Sequence, residues 1–587
     1  MKAGERPAGA APPPERPQSG GRRVPVWALA VLAGQLLLMI AVFNPVAHNG
    51  GDTAGYVTLA HSLLDRGTYT DLWLPGEPPH TKYPPVFPAM LAIAIALGAR
   101  TWAALKVVPA LFTTISILLI YLWARDRRGP AFAASVALLT AASKAVLWSS
   151  HWELSEPPFM AFTFLSLWAY DRVVGSVELA GAPDPDGARS RERMKLLAIG
   201  AVAAGLAYFT RSAGLPLVVA AGVWLLWHRR FGAAAAVVVP IGLLAMLWSL
   251  RGGQGAQYVS EFWMLDPYQP DLGRAGVAGL ARRVLDNTVG YVTLYVPNGL
   301  TGLGGSAALG MGVALFGLAG WGWWIRLRAT PTVAELFVPM YIGLIFLWPQ
   351  SWSGDRFALP LFPMLLFYAG ERLLDLTASF QAGARRVVAG FAIALVALPA
   401  LGNWSQEMKL ASGCGDLVRQ EGAFACWGER THEFVQAAVW SGTNLPEDAV
   451  VLSRKPRIFY VQSGIASETF PFTKDVNRFL AFADSVGARY VVMDYMDAAA
   501  TAYVAGAVVT RGGAFCVVEQ FRVLDDVPTQ LFGIKPKDRR GTAEVEETEG
   551  GATSVAMDRC DASFVRPDPL PERTARTQEI PLLMGFR

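Results

Sequence analysis

Charge is scarce in this chain, and that scarcity argues against a soluble protein. Only 17% of its 587 residues are charged and 53% are hydrophobic, where soluble domains carry about 25% charged residues. The net charge of +4 is small and dispersed, which removes the basic face a nucleic-acid partner would need. Cysteine is scarce as well. The four present, Cys414, Cys426, Cys516 and Cys560, all lie late in the chain, at spacings unlike those of a zinc site. No phosphate-cradling glycine loop follows an expected strand, and no Ser-His-Asp order stands out. Gly-rich runs such as 301–305 read as turns or close helix packing.

The sequence does have long apolar runs, which end near Trp404. A bilayer core takes about 20 apolar residues per helix. Expected spans are 25–43, 103–123, 130–148, 157–174, 195–210, 213–228, 231–250, 306–326, 333–349, 357–374 and 387–404. The apolar segment 84–98 is short for a span, and the basic residues decide how it is read. Arg125, Arg127 and Arg128, the run 189–195, His228–Arg230, Arg326 with Arg328, and Arg385 with Arg386 all belong in the cytosol under the positive-inside rule. They fall on one side together only if 84–98 lies at the surface or dips in and returns.

The expectation is therefore a polytopic α-helical membrane protein of about eleven spans. A disordered cytosolic tail covers 1–24, the membrane domain 25–404, and an extracytoplasmic α/β domain 405–587. Outward-facing loops are 44–102, 149–156, 211–212, 251–305 and 350–356. In the last domain, expected helices at 431–445 and 475–486 alternate with short apolar strands, and 541–552 reads as a mobile acidic loop. Four cysteines allow three pairings. The close spacing of Cys414 and Cys426 suggests 414–426 with 516–560, buried free thiols being the alternative.

Sidedness gathers polar residues at the outer face. Asp52 follows two glycines and precedes an amphipathic stretch, so it also reads as a helix N-cap. Glu156 before Pro157 suits a helix N-terminus. His80, Lys82 and Tyr83 precede two prolines, and His151 and Glu153 stand beside Glu156. Arg211 and Arg356 lie at membrane boundaries on the side that positive charge avoids, which favours a functional partner over an anchor. Together these supply a carboxylate to take a hydroxyl proton and cations to stabilise a departing phosphate. His80, His151 and Glu153 also form a weak candidate metal cluster.

On Asp52, Lys82-Tyr83-Pro84-Pro85, Ser155-Glu156-Pro157, Thr210-Arg211-Ser212-Ala213-Gly214 and Asp355-Arg356-Phe357, the chain resembles the GT-C superfamily of integral membrane glycosyltransferases. The likeness is to the bacterial protein O-mannosyltransferase and lipid A aminoarabinose transferase group, and it covers most of 25–404. It implies that Asp52 is the catalytic base and Glu156 its support, with Lys82 and Arg356 on the donor phosphate and Arg211 a weaker carry-over. It also implies a polyprenyl-phosphate sugar donor, membrane lipids as surroundings, and a lipid, glycan or protein acceptor, at the outer face of a bacterial inner membrane. Asp52 is followed by Thr53 rather than an acid, and Thr81 rather than an acid precedes Lys82. No cofactor is therefore assigned, and a divalent metal stays open. The alternatives are a lipid or sugar transporter, which needs ionisable residues and broken helices near the midplane, and a non-catalytic anchor for the α/β domain.

Overall fold

The computed structural model describes residues 26–177, 188–251, 256–523, 527–541, 557–571, 573 and 577–585. The tail expected at 1–24 and most of the loop expected at 541–552 lie outside them. Helices fall on the expected spans. Five of those described are long and apolar enough to cross a membrane: Trp102–Arg128, Arg189–Thr210, Phe231–Leu250, Gly305–Ala329 and Ala382–Glu421. The segment expected at 84–98 forms the helix Val86–Ala96, of 11 residues. At 1.5 Å per residue it is about 16 Å long, roughly half a bilayer core.

One expected loop is mostly helix. Within 251–305, Val277–Gly290 runs through a π-turn at Tyr291–Tyr295 into Val296–Thr301. Tyr291, Val296 and Leu300 join the core built by the long helices. The charges at Arg282, Arg283 and Asp286 hide this run from a hydropathy reading, yet two of its polar side chains serve as caps. Arg283 donates to the carbonyls of Phe262 at 2.7 Å and Met264 at 2.6 Å. Asn287 donates to those of Phe346 and Trp348, both at 2.8 Å. Carbonyls orphaned at element ends find donors in this way.

The long helices have two chemically distinct ends. At one end Arg127 is 6% exposed and meets Asp171 and, at 2.7 Å, Glu335, which is fully buried. Its guanidinium also donates to Thr332 at 2.7 Å. Glu371 beside it takes Arg326 at 2.6 Å and Arg128 at 3.4 Å. This network ties helices Val107–Arg128, Glu156–Val177, Val333–Leu347 and Leu361–Leu376 together. Glu156 and Asp171 are 15 positions apart on one helix, about 22 Å along its axis, so the other end is free for different chemistry.

The C-terminal region carries a five-stranded sheet of order β2-β1-β3-β5-β4, with β1 Val450–Ser453, β2 Ala466–Thr469, β3 Tyr490–Met493, β4 Phe515–Phe521 and β5 Thr529–Ile534. Strand β1 is parallel to β2 and β3, while β5 is antiparallel to β3 and β4. The helices expected near 431 and 475 are Glu429–Asn444 and Val476–Ser485, the latter capped by Asp475. Disulfides join Cys414 to Cys426 and Cys516 to Cys560. This region packs on the first loop in one shared core, with Val57, Trp73 and Phe87 against Phe434, Phe459 and Leu582. Main-chain bonds reinforce it: Ala47 N–H donates to the Ala423 carbonyl at 2.7 Å, and Ser467 N–H to that of Trp73 at 2.7 Å.

Removing Arg127 would strand buried Glu335 and Asp171 without a counter-charge. We expect Arg127→Ala to cost about 3–5 kcal/mol, read as a lower unfolding midpoint of the detergent-solubilised protein. An unchanged midpoint would show that the network does not hold the helices.

Candidate active site

The helix Gly51–Arg66 starts at Gly50, whose extended backbone serves as the N-cap without any side-chain bond. Asp52 therefore sits in the first turn, and the N-cap reading does not hold. The amides at this end lack a side-chain cap, while the Asp52 carboxylate is drawn to stronger partners. Tyr83 donates its hydroxyl to Asp52 Oδ1 at 2.7 Å, and Arg356 Nη2 donates to Oδ2 at 2.9 Å. Burial alone would raise the Asp52 carboxyl. Arg356, Arg457 and the Tyr83 hydroxyl outweigh that and hold it well below the usual carboxylate range.

Arg356 is shared. Its Nε lies 2.9 Å from Glu156 Oε1, and Arg211 Nη1 meets the same oxygen at 2.6 Å. Glu156 opens the helix Glu156–Val177 and its side chain is 3% exposed. Ser155 fixes the arrangement from behind, accepting from Arg211 Nη1 at 3.0 Å and hydrogen-bonding the Tyr56 hydroxyl at 3.0 Å. Asp52, Glu156, Arg211 and Arg356, separated by up to 304 positions, thus form one connected set of ion pairs.

Other sequence candidates stand beside this set. Lys82 Nζ is 3.0 Å from both oxygens of Glu261 and lies over the Trp352 ring at 5.3 Å. His80 positions Tyr83: its Nε2 accepts the Tyr83 N–H at 2.7 Å, so its Nδ1 carries the proton toward Asp71. Burial lowers the His80 pKa and keeps the ring neutral.

His151 and Glu153 do not enter the ion-pair set. They are buried with Lys106, which donates to the Asn44 carbonyl at 2.7 Å and lies over Trp152 at 4.4 Å. Burial pushes Glu153 up to about 7 and brings His151 down to about 3. Among the described residues no other side chain hydrogen-bonds the Glu153 carboxyl.

The metal reading does not fit these residues. Both His80 nitrogens are committed. No group of three or more metal-ligating side chains could hold an ion among the described residues.

Sequence reasoning missed Arg457, which enters from the C-terminal domain. Its Nη1 donates to the Tyr83 hydroxyl at 2.6 Å and to the Gly51 carbonyl at 3.4 Å, and lies 3.8 Å from Asp52 Oδ1. The preceding Ser453-Arg454-Lys455-Pro456 reads in sequence as a solvated loop or a phosphate-binding turn, and Arg457 itself carried no signal. Glu261, the partner of Lys82, carried no signal of its own.

No family model matches the sequence, and no curated protein matches it. Solved structures do match in fold. The oligosaccharyltransferase of Archaeoglobus fulgidus in its apo form is 15% identical, with a TM-score of 0.52 over 86% of this chain and 75% of that one. Its complex with an inhibitory peptide and a dolichol-phosphate, where the enzyme is named AglB, is 16% identical, with a TM-score of 0.51 over 84% and 73%. ArnT from Cupriavidus metallidurans in the apo state is 15% identical, with a TM-score of 0.50 over 86% and 98%. At these identities the likeness is one of fold. The chain shares its overall fold with these solved structures.

Glu153 yields a test with a definite sign. Burial holds its pKa at about 7, above the ordinary 4.5, so the folded state prefers the protonated form. Stability falls as pH rises from 4.5 through 7, because the unfolded chain ionises first. Glu153→Gln should raise the thermal midpoint above pH 7, and the gain should vanish below pH 4.5. A gain that does not change with pH would show that the buried carboxyl is not its source.

Proposed function

We propose that this protein is an inverting glycosyltransferase that moves a sugar from a polyprenyl-phosphate donor to an acceptor hydroxyl at the outer face of the inner membrane. The observation that carries the reading is the single guanidinium of Arg356 bridging Asp52 and Glu156. A carboxylate fit to accept a proton and a cation fit to receive a phosphate are in direct contact there.

The donor-free arrangement is a resting one. Arg356 makes Asp52 a weak base. A phosphate bearing more charge than one carboxylate competes for the same guanidinium. As Arg356 turns to the donor, Asp52 loses its strongest counter-charge and becomes more basic. Tyr83 still orients Oδ1, and Glu156 with Arg211 keeps the guanidinium in place.

The acceptor O–H gives its proton to Asp52 while its oxygen bonds to the anomeric carbon. The anomeric carbon–oxygen bond to the phosphate breaks, and its electron pair leaves on the lipid phosphate. Configuration inverts, because entry and departure are on opposite faces of the sugar. Arg356, and Lys82 on exchanging Glu261 for the donor, stabilise the charge that builds on the leaving phosphate.

The transport alternative gains little from the span broken at Ser143. The helix Pro130–Ala142 restarts as Lys144–Ser149, and Lys144 Nζ donates to Asn298 Oδ1 at 2.8 Å. That break lies toward the active-site end, where Asp355 senses Lys144, rather than at a midplane binding site.

Asp52→Asn keeps the shape and removes the base. We expect transfer from labelled polyprenyl-phosphate sugars in reconstituted membranes to fall by about 100-fold or more, with donor binding retained. Full activity in this variant would rule out Asp52 as the base.

A further inference from the structure

In an open sheet with parallel strands, ligands sit outside the carboxyl ends of strands where the chain order reverses. Here the chain leaves β1 for β2 on one side and returns to β3 on the other. The reversal point is therefore the crevice beyond the ends of β1 and β3. Strand β1 delivers Arg454, Lys455 and Arg457 to it, and β3 delivers Asp494. This end of the sheet faces Asp52, with Arg457 Nη1 at 3.8 Å from Asp52 Oδ1 and Asp52 among the charges acting on Lys455.

Two of the three cations are accounted for. Arg454 Nε pairs with Asp497 Oδ2 at 3.0 Å and lies over the rings of Tyr268 and Phe472. Arg457 lies over the rings of Trp73 and Tyr83. It passes so close to Gly55 that a Cβ there would come within 2.9 Å of its Cδ.

Lys455 is different. It is half-buried, and among the described residues no hydrogen bond or ion pair engages its ammonium. The charges around it are Arg454, Asp497, Asp494 and Asp52. Beside it Asp494 is fully buried with Oδ2 unpartnered. A half-buried ammonium that makes no direct hydrogen bond or ion pair, and a buried carboxylate oxygen that no donor reaches, are costly in a finished structure. Both costs are relieved by a ligand that brings an anion and a hydroxyl.

We propose that Lys455, backed by Arg457, is the anion-binding half of the acceptor subsite, so that the acceptor carries a phosphate or carboxylate near its reacting hydroxyl. This rests on the transferase reading above. The side of approach separates acceptor from donor. Arg356, assigned to the donor phosphate, holds Asp52 Oδ2 from the membrane domain, while Arg457 nears Oδ1 from the sheet domain. In-line displacement places nucleophile and leaving group on opposite faces of the sugar, and the two sets of cations flank the base in the same way.

The test measures binding to the full chain in nanodiscs, without turnover. The probes are glucose, glucose 6-phosphate and glucuronate, with undecaprenyl phosphate as the donor-side probe. We expect at least one anionic sugar to bind about tenfold more tightly than glucose. Lys455→Gln should abolish that preference, Lys455→Arg should keep it, and undecaprenyl phosphate should bind all three proteins alike. Whichever anionic sugar binds better identifies phosphate or carboxylate as the group recognised.

Anionic sugars that bind no better than glucose, or a preference that survives Lys455→Gln, would overturn the proposal. So would a loss of undecaprenyl phosphate binding in Lys455→Gln, which would place the turn on the donor side. A fully active Asp52→Asn would instead defeat the transferase reading while leaving these binding results readable.

Discussion

The guanidinium of Arg356 is the constraint on which the rest of the site depends. Asp52 and Glu156 are two carboxylates in a poorly solvated setting, and two such groups repel unless a cation lies between them. Arg356 contacts both, and its planar fork allows what a lysine point charge would not. Each element around it can be understood as a way of bringing it there. The turn Asp355–Ala358 presents it, and the Tyr341 hydroxyl pins that turn by donating to the Phe357 carbonyl at 2.8 Å. Arg211 then completes the neutralisation of Glu156.

The two ends of the helix bundle use the same physics for different purposes. The Arg127 network is closed: its arginine meets Asp171, Glu335 and Thr332, and the Tyr368 hydroxyl donates to Glu335 at 2.8 Å. Such a set holds helices together and offers little to a ligand. At the other end the set is more open, and the Asp52 side chain is 34% exposed. A site that must exchange an internal partner for a substrate needs that partial exposure. This difference in closure, more than the residue types, marks one end as structural and the other as a place for chemistry.

Much of the site was legible because charge in a membrane protein is expensive. Asp52, Glu156, Arg211 and Arg356 stood out on the outward side of the threading, and the structure brings these four together. The helix Val277–Thr301 was illegible for the complementary reason. Arg283 and Asn287 interrupt its apolar pattern, and only tertiary structure reveals the carbonyls they cap. The strands β1, β3 and β4 followed from their Val-rich runs, whereas β2, with the sequence ASET, has no apolar pattern and is a strand only because β1 pairs with it. Arg457 was hidden because a basic turn looks the same in sequence whether it faces water or an active site. Its role follows from the packing of the sheet domain on the first loop, a long-range contact without a local signature.

That packing also joins the sheet domain to the candidate site. Tyr83 is gripped from three directions. His80 takes its N–H, Tyr69 donates to its carbonyl at 2.9 Å, and Arg457 donates to its hydroxyl. The same hydroxyl passes its own proton toward Asp52. Hydrogen bonds in such a chain polarise one another, so Arg457 strengthens the bond that orients the Asp52 carboxylate. Rotation of the sheet domain away from the first loop would remove Arg457, loosen Tyr83 and leave Asp52 with Arg356 alone. The orientation of the Asp52 carboxylate is therefore coupled to the docking of a domain encoded some 400 positions later. A hydrophobic anchor alone would have no physical reason for such a link.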